Sequence, residues 1–224
     1  MSKFSETLVE QAQPILQAVI SHPFLQEIIT GEISNDALIT YVQQDEYYLG
    51  EYAKAFANAY LLANDDAQRA LVAPSITTEA EIIAHEWLLE HAGTTLAEVG
   101  LAKPNPNTVA YLNHIKASGA HNYFYQITAV LPCMWIYREF GHNLGPKVGT
   151  DTLLGRWLHL YANDMPEYFE MSIVDDLFAM LDTHMTELSA YDQANLIEIF
   201  LRGCEYEYHF FDAAYRQQKW LYEA

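Results

Sequence analysis

The chain has 224 residues, a net charge of −19 with only 11 Lys and Arg, and 51% apolar against 18% charged residues. Length and apolar content suit one large domain with a full core and exclude a disordered chain. Nucleic acid and anionic membrane surfaces both require concentrated positive charge, so neither is expected as a partner.

Two cysteines, Cys133 and Cys204, make neither a disulfide scaffold nor a metal-ligand spacing. The opening MSKFSETLVEQAQPILQAVI is polar and lacks the long apolar core of a signal peptide. No window approaches the roughly 18 consecutive apolar residues of a membrane span. A reducing cytoplasm is the expected compartment.

Helical periodicity recurs along the chain. Ser5 to Ile20 reads as a helix that Pro14 bends or shortens. A short helix follows over Pro23–Thr30. Asn35 is placed to cap a long helix to about Ala63, whose apolar residues recur every three or four positions. The next helix is expected over Ser75–His91, with Thr77 or Thr78 near its start, before a loop marked by Gly93, Gly100, Pro104 and Pro106. Helices are then expected over Thr108–Ser118 and His121–Phe140, with Gly141, Asn143, Gly145 and Pro146 as a break. Pro132 marks either the start of the second of these or a kink within it. Thr152–Tyr161 is the next helix. Asp164 reads as an N-cap with Pro166 in the first turn of a helix reaching His184, and the last helix spans Asp192 to Trp220. Strand signals are weak, so the expected architecture is all-α, a single-domain bundle of about eight to eleven helices.

Three helix faces carry the chemistry. Tyr41, Asp45, Tyr48 and Tyr52 fall at i, i+4, i+7 and i+11, which sets a carboxylate in an aromatic stripe. Asp45 either bonds a tyrosine or a partner helix, or anchors the amine of a heterocycle whose ring the tyrosines wall. Cys133, Tyr137 and Phe140 share a second face; Cys133 is either a small buried hydrophobe or a nucleophile. Glu207 lies with Phe210 and Phe211 on a third. It is either an ion-pair partner between helices or an acid whose pKa burial raises, while Glu205 takes the exposed role.

Four stretches resemble the TenA family, also called thiaminase II or aminopyrimidine aminohydrolase. They are YVQQDEYYLGEYAKAFANAY, AHEWLLEHAG, AVLPCMWIYREFG and EYEYHFFDAAY, in the family's order, and the resemblance covers nearly the whole chain. It implies one heme-oxygenase-like helical domain over 1–224, assembled as a homotetramer and needing no cofactor or metal. The implied substrate is 4-amino-5-aminomethyl-2-methylpyrimidine, with thiamine slower, in thiamine salvage. By the same resemblance Cys133 corresponds to the nucleophile, Glu207 to the acid/base and Asp45 to the carboxylate that holds the pyrimidine amine. Tyr48, Tyr137 and Phe210 correspond to ring-pocket positions, with looser matches at Tyr111 in AYLNH and Tyr161 in WLHLY. The chain departs from the family pattern at Phe211, where tryptophan is common, at Met134 and across Lys116–Gln126.

Two other readings share the bundle. A carboxylate-bridged di-iron site needs paired Glu-x-x-His motifs, and the one such spacing, Glu139 to His142, has Gly141 inside it. For haem, His22 is the one early histidine, with Pro23 directly after it; His85, His114, His159 and His209 read as core hydrogen-bonding histidines. A non-catalytic binding or regulatory protein is the remaining alternative.

Overall fold

Residues 3–77, 81–166, 168 and 171–223 are described by a computed structural model, which forms eleven α-helices and no strand among them. In chain order these are α1 (Phe4–Ile20), α2 (Pro23–Thr30), α3 (Asn35–Leu62), α4 (Asp66–Val72), α5 (Ile82–His91), α6 (Leu96–Val99), α7 (Pro106–Ser118), α8 (Tyr123–Leu144), α9 (Leu153–Tyr161), α10 (Ile173–His184) and α11 (Ala190–Tyr215). Among the described residues no helix is long and apolar enough to cross a membrane.

Helix starts follow side-chain oxygens that satisfy the orphan N–H groups of a first turn. Asn105 and Asn122 accept from the amides of Thr108 and Tyr125 at the starts of α7 and α8, and Ser189 accepts from Asp192 at α11. Several boundaries differ from the sequence expectation. The cap of α3 is Ser34, which accepts from the amide of Ala37 at 3.2 Å, so Asn35 is already helical. The expected helix from Ser75 is a 3₁₀ turn over Ala73–Ile76 followed by α5 from Ile82; Thr78 lies outside the described residues. Helix α4 was not expected, because seven residues hold too little periodicity to read. Asp164 caps nothing: its carboxylate bonds His159 Nδ1 at 2.7 Å, and α10 begins only at Ile173. The last helix ends at Tyr215, and the Trp220 indole beyond it donates to the Pro104 carbonyl at 3.0 Å.

Helix α1 runs unbroken through Pro14 and α8 through Pro132. Neither interrupts its helix, because packing holds the turns that lack one backbone bond. The expected break at Gly141 is instead an approach between helices. A Cβ there would lie 2.4 Å from the Tyr161 carbonyl carbon, so α8 continues to Leu144 while α9 crosses it at that glycine.

Helix α8 is central, packed against α1, α3, α7, α9, α10 and α11. A helix apolar all round is one buried all round, and every residue of α8 from Tyr123 to Tyr137 is buried except Cys133. The α8–α11 crossing is tight: a Cβ on Gly203 would meet Pro132 Cγ at 2.5 Å. Four and one residues away from that contact stand Glu207 and Cys133. Helix α3 packs on both α8 and α11, α7 touches all three, and α5 packs on α3 and α9.

Candidate active site

The three faces singled out in the sequence meet where α3, α8 and α11 pack together. Asp45, Tyr48 and Tyr52 come from α3, Cys133 and Tyr137 from α8, Glu207 and Phe210 from α11; α7 adds Tyr111 and α9 adds Tyr161. All of them are buried but Cys133. Cys133 is thus the one side chain of this group that keeps appreciable accessible surface.

Two aromatic groups wall this centre. Tyr48 lies 5.1 Å from Tyr111, 5.2 Å from Tyr52 and 5.7 Å from Phe210, between ring centroids. Tyr137 lies 4.8 Å from Tyr161, and its hydroxyl bonds that of Tyr41 at 2.5 Å. Phe210 also reaches Tyr41, at 5.8 Å, and so joins the two groups. The spacings are those of edge and offset ring packing. Phe211, the departure from the family's tryptophan, stacks parallel to Tyr41 at 6.0 Å in the second group.

Polar groups converge on the same place. Tyr111 donates its hydroxyl hydrogen to Glu207 Oε1 at 2.6 Å. Tyr52 donates to the Val130 carbonyl at 2.7 Å, one turn ahead of Cys133. The Tyr48 hydroxyl is buried without a hydrogen-bond partner of good geometry, although it lies beside Cys133 and Tyr111. An orphaned buried hydroxyl is costly.

Burial pushes the Glu207 carboxyl up to about 8; the bond from Tyr111 pulls it down, the Asp45 charge adds to the rise, and contact with Cys133 opposes it. Glu207 therefore holds its proton at neutral pH. Burial also raises the Cys133 thiol well above its ordinary value, with Glu207, Glu81 and Asp45 adding to it and Tyr48 opposing. The resting cysteine is a neutral thiol, so it needs a base at the moment it attacks. Cys204, by contrast, is fully buried in the core of α11.

Glu205 is exposed and pairs with Arg202 at 2.8 Å, as expected. His22 caps α2 by accepting from the Phe24 amide at 3.1 Å and faces Asp212. No group of three or more His, Cys, Asp or Glu among the described residues is placed to hold a metal.

Three residues at this site were not picked out from the sequence. His85 Nε2 bonds Asp45 Oδ2 at 2.9 Å and its Nδ1 bonds Glu46 Oε1 at 2.6 Å. Glu81, the N-cap of α5 and one turn before His85, is raised to about 8, first by burial and then by the charge of Asp45. Read as a core histidine, His85 does make core bonds, but both go to carboxylates. The signal was the i, i+4 spacing of Glu81 and His85, which sets an acid and a base on one helix face.

Fold and site together define a helical-bundle protein in which a thiol, buried carboxyls and a group of aromatic side chains converge where α3, α8 and α11 pack. The chain belongs to the TENA/THI-4/PQQC family, whose description matches residues 9–217. It is 33% identical to an aminopyrimidine aminohydrolase of Halalkalibacterium halodurans, over 98% of each chain. Among solved structures it resembles a TenA homologue from P. horikoshii OT3, with a TM-score of 0.79 at 23% identity, covering 96% of this chain and 99% of that one. A domain of unknown function with a heme oxygenase-like fold from Shewanella denitrificans OS217 aligns with a TM-score of 0.53 at 12% identity, over 95% of this chain and 90% of that one. The bundle has the heme-oxygenase-like fold.

Proposed function

We propose that this chain is an aminopyrimidine aminohydrolase. It converts 4-amino-5-aminomethyl-2-methylpyrimidine and water to the hydroxymethylpyrimidine and ammonia, and cleaves thiamine more slowly. One observation carries the reading: the Cys133 thiol, the one residue of α8 from Tyr123 to Tyr137 that is not buried, stands beside the buried Glu207 carboxyl and the Tyr48 hydroxyl. The name of the relative from H. halodurans supports the same chemistry.

In this mechanism the ring lies among Tyr48, Tyr111, Tyr137, Tyr161 and Phe210, with its amino group donating to Asp45. Glu207 gives its proton to a ring nitrogen, and Cys133 Sγ bonds to the adjacent ring carbon. The Glu207 carboxylate so formed takes the thiol proton, which supplies the base the neutral thiol lacks. Glu207 passes that proton on to the exocyclic amine, which the electrons of the dearomatised ring expel as ammonia. Water adds its oxygen to the exposed methylene carbon and gives a proton to the Glu207 carboxylate. Sγ then departs and takes that proton, the ring nitrogen returns its own to Glu207, and the ring regains aromaticity. Positioned proton transfer of this kind contributes about 10²–10⁴-fold.

The test is ammonia release from the aminomethylpyrimidine. The wild type is expected to release it stoichiometrically with the alcohol. Cys133→Ser should lose about 10³-fold or more, and Cys204→Ser should keep wild-type rates. Tight pyrimidine binding without ammonia would identify a binding protein instead. The reading also carries a cytoplasmic location and a homotetramer, the latter checked by light scattering on the eluting peak.

A further inference from the structure

Asp45 and Glu46 are consecutive residues on α3, so their side chains leave the helix about 100° apart and cannot share one face. They are nevertheless joined through a single ring, buried at 3% exposure, that bonds one with each nitrogen. A neutral imidazole can donate from one nitrogen only, and an ionised carboxylate only accepts. Two short bonds to two carboxylates therefore require both ring nitrogens to carry hydrogen. We infer that His85 is a positioning residue for Asp45, an imidazolium clamped by Glu46 that fixes the Asp45 carboxylate and leaves its Oδ1 for the amino group of the substrate ring.

The inference rests on the proposed role of Asp45 as the amine anchor. Asp45 Oδ2 is committed to His85, and Oδ1 takes no hydrogen bond from the described residues. A carboxylate at the end of a long strained search for partners would rotate about its terminal torsion; one oxygen held by a charged donor cannot. A ring whose far nitrogen is bonded has its own orientation set in turn, the usual way a working carboxylate or metal ligand is held. Burial alone would push His85 down, but its bonds to the two carboxylates outweigh it and hold the ring's pKa up at about 10. Glu46 is correspondingly lowered by its bond to His85. The other charged group that interacts with the ring is Glu81, the N-cap residue of its own helix. The clamp also bridges inside and outside. Glu46 is half-buried and, with His85 and Ile82, lines a surface cleft of about 620 Å³, while Asp45 is buried on the pocket side.

The experiment is steady-state turnover of the aminomethylpyrimidine by His85→Gln, Asp45→Asn and the double variant, with Cys133→Ser as the activity control. Glutamine can bond one carboxylate but carries no charge. KM is expected to rise about ten- to a hundredfold in His85→Gln, the loss of one charge-assisted bond, with kcat within about threefold. In the Asp45→Asn background His85→Gln should raise KM no further. Glu46→Gln should raise KM in the same way and to a smaller degree, and it carries the test if His85→Gln does not fold. An unchanged KM, a fall in kcat alone, or a KM effect that adds in full to that of Asp45→Asn would overturn the positioning role. If the wild type binds the pyrimidine and releases no ammonia, the proposed function itself fails and the positioning role with it. If Cys133→Ser is inactive and His85→Gln behaves as wild type, only the positioning role fails.

Discussion

In the proposed mechanism Glu207 and Asp45 divide the work at the level of single residues, and their variants should separate it. Glu207 is protonated in the resting site because burial raises it to about 8. As pH rises through about 8 the proton it must give is lost, so kcat/KM should fall on the basic side with an apparent pKa near that value. Glu81 is raised to about 8 as well and feels Glu207, so the limb belongs to the pair rather than to one group. Glu207→Gln should abolish turnover while still binding the pyrimidine, as isothermal titration would show. Wild-type rates from that variant would remove it from the chemistry. Asp45→Ala is expected to weaken pyrimidine binding by about tenfold or more, the size of a lost hydrogen bond to a charged group; equal affinity would leave Asp45 a structural partner of His85. Asp45, Cys133 and Glu207 stand out in the sequence because each is a polar residue out of place in an aromatic helix. His85 does not. Its carboxylate partners lie 40 and 39 residues away, and the i, i+4 spacing with Glu81 marks an acid and a base on one face without showing what they meet.

At the scale of elements, the long helices were legible from apolar periodicity, while their ends and crossings were less so. The pattern at Gly141 reads as a helix break, yet it is the point where α9 touches α8. A glycine that permits a turn and one that permits a crossing look identical in one sequence. Gly203 does the same for α8 and α11, against Pro132. A methyl at 203 would meet a proline ring that cannot swing away, so Gly203→Ala should destabilise the protein by about 1–3 kcal/mol. It should also lower turnover, because the thiol and the carboxyl ride on the two helices pushed apart. Urea unfolding and ammonia release measure the two effects; a variant as stable and as active as the wild type would show the crossing to be slack.

For the whole molecule, the buried site makes folding take up protons. Glu81 and Glu207 move from ordinary carboxyl values to about 8, and His85 moves from 6.5 to about 10. Each folded-state pKa is raised, so each contribution is present at low pH and is lost as pH rises through the folded value. The carboxyls set the window between about pH 4.5 and 8 and the histidine extends it to about 10. Stability should therefore decline steadily from mildly acid to alkaline pH, and mutual repulsion in a chain of net charge −19 acts in the same direction. Denaturant midpoints at pH 6 and pH 9 test this: Glu207→Gln, which cannot titrate, should show a shallower decline than the wild type, and an equal slope would place the proton uptake elsewhere.

The Gly203–Pro132 contact also bears on how such a chain can change over generations. A larger residue at 203 is tolerated only with a smaller one at 132, so the two positions should be inherited as a linked pair rather than drift independently. Because that pair sets how closely the helices carrying Cys133 and Glu207 approach, any lineage that exchanges it also resets the gap between thiol and acid. Paired substitutions at 132 and 203 are accordingly a direct handle for anyone seeking to retune this pocket toward a bulkier heterocycle without touching a residue that meets the substrate.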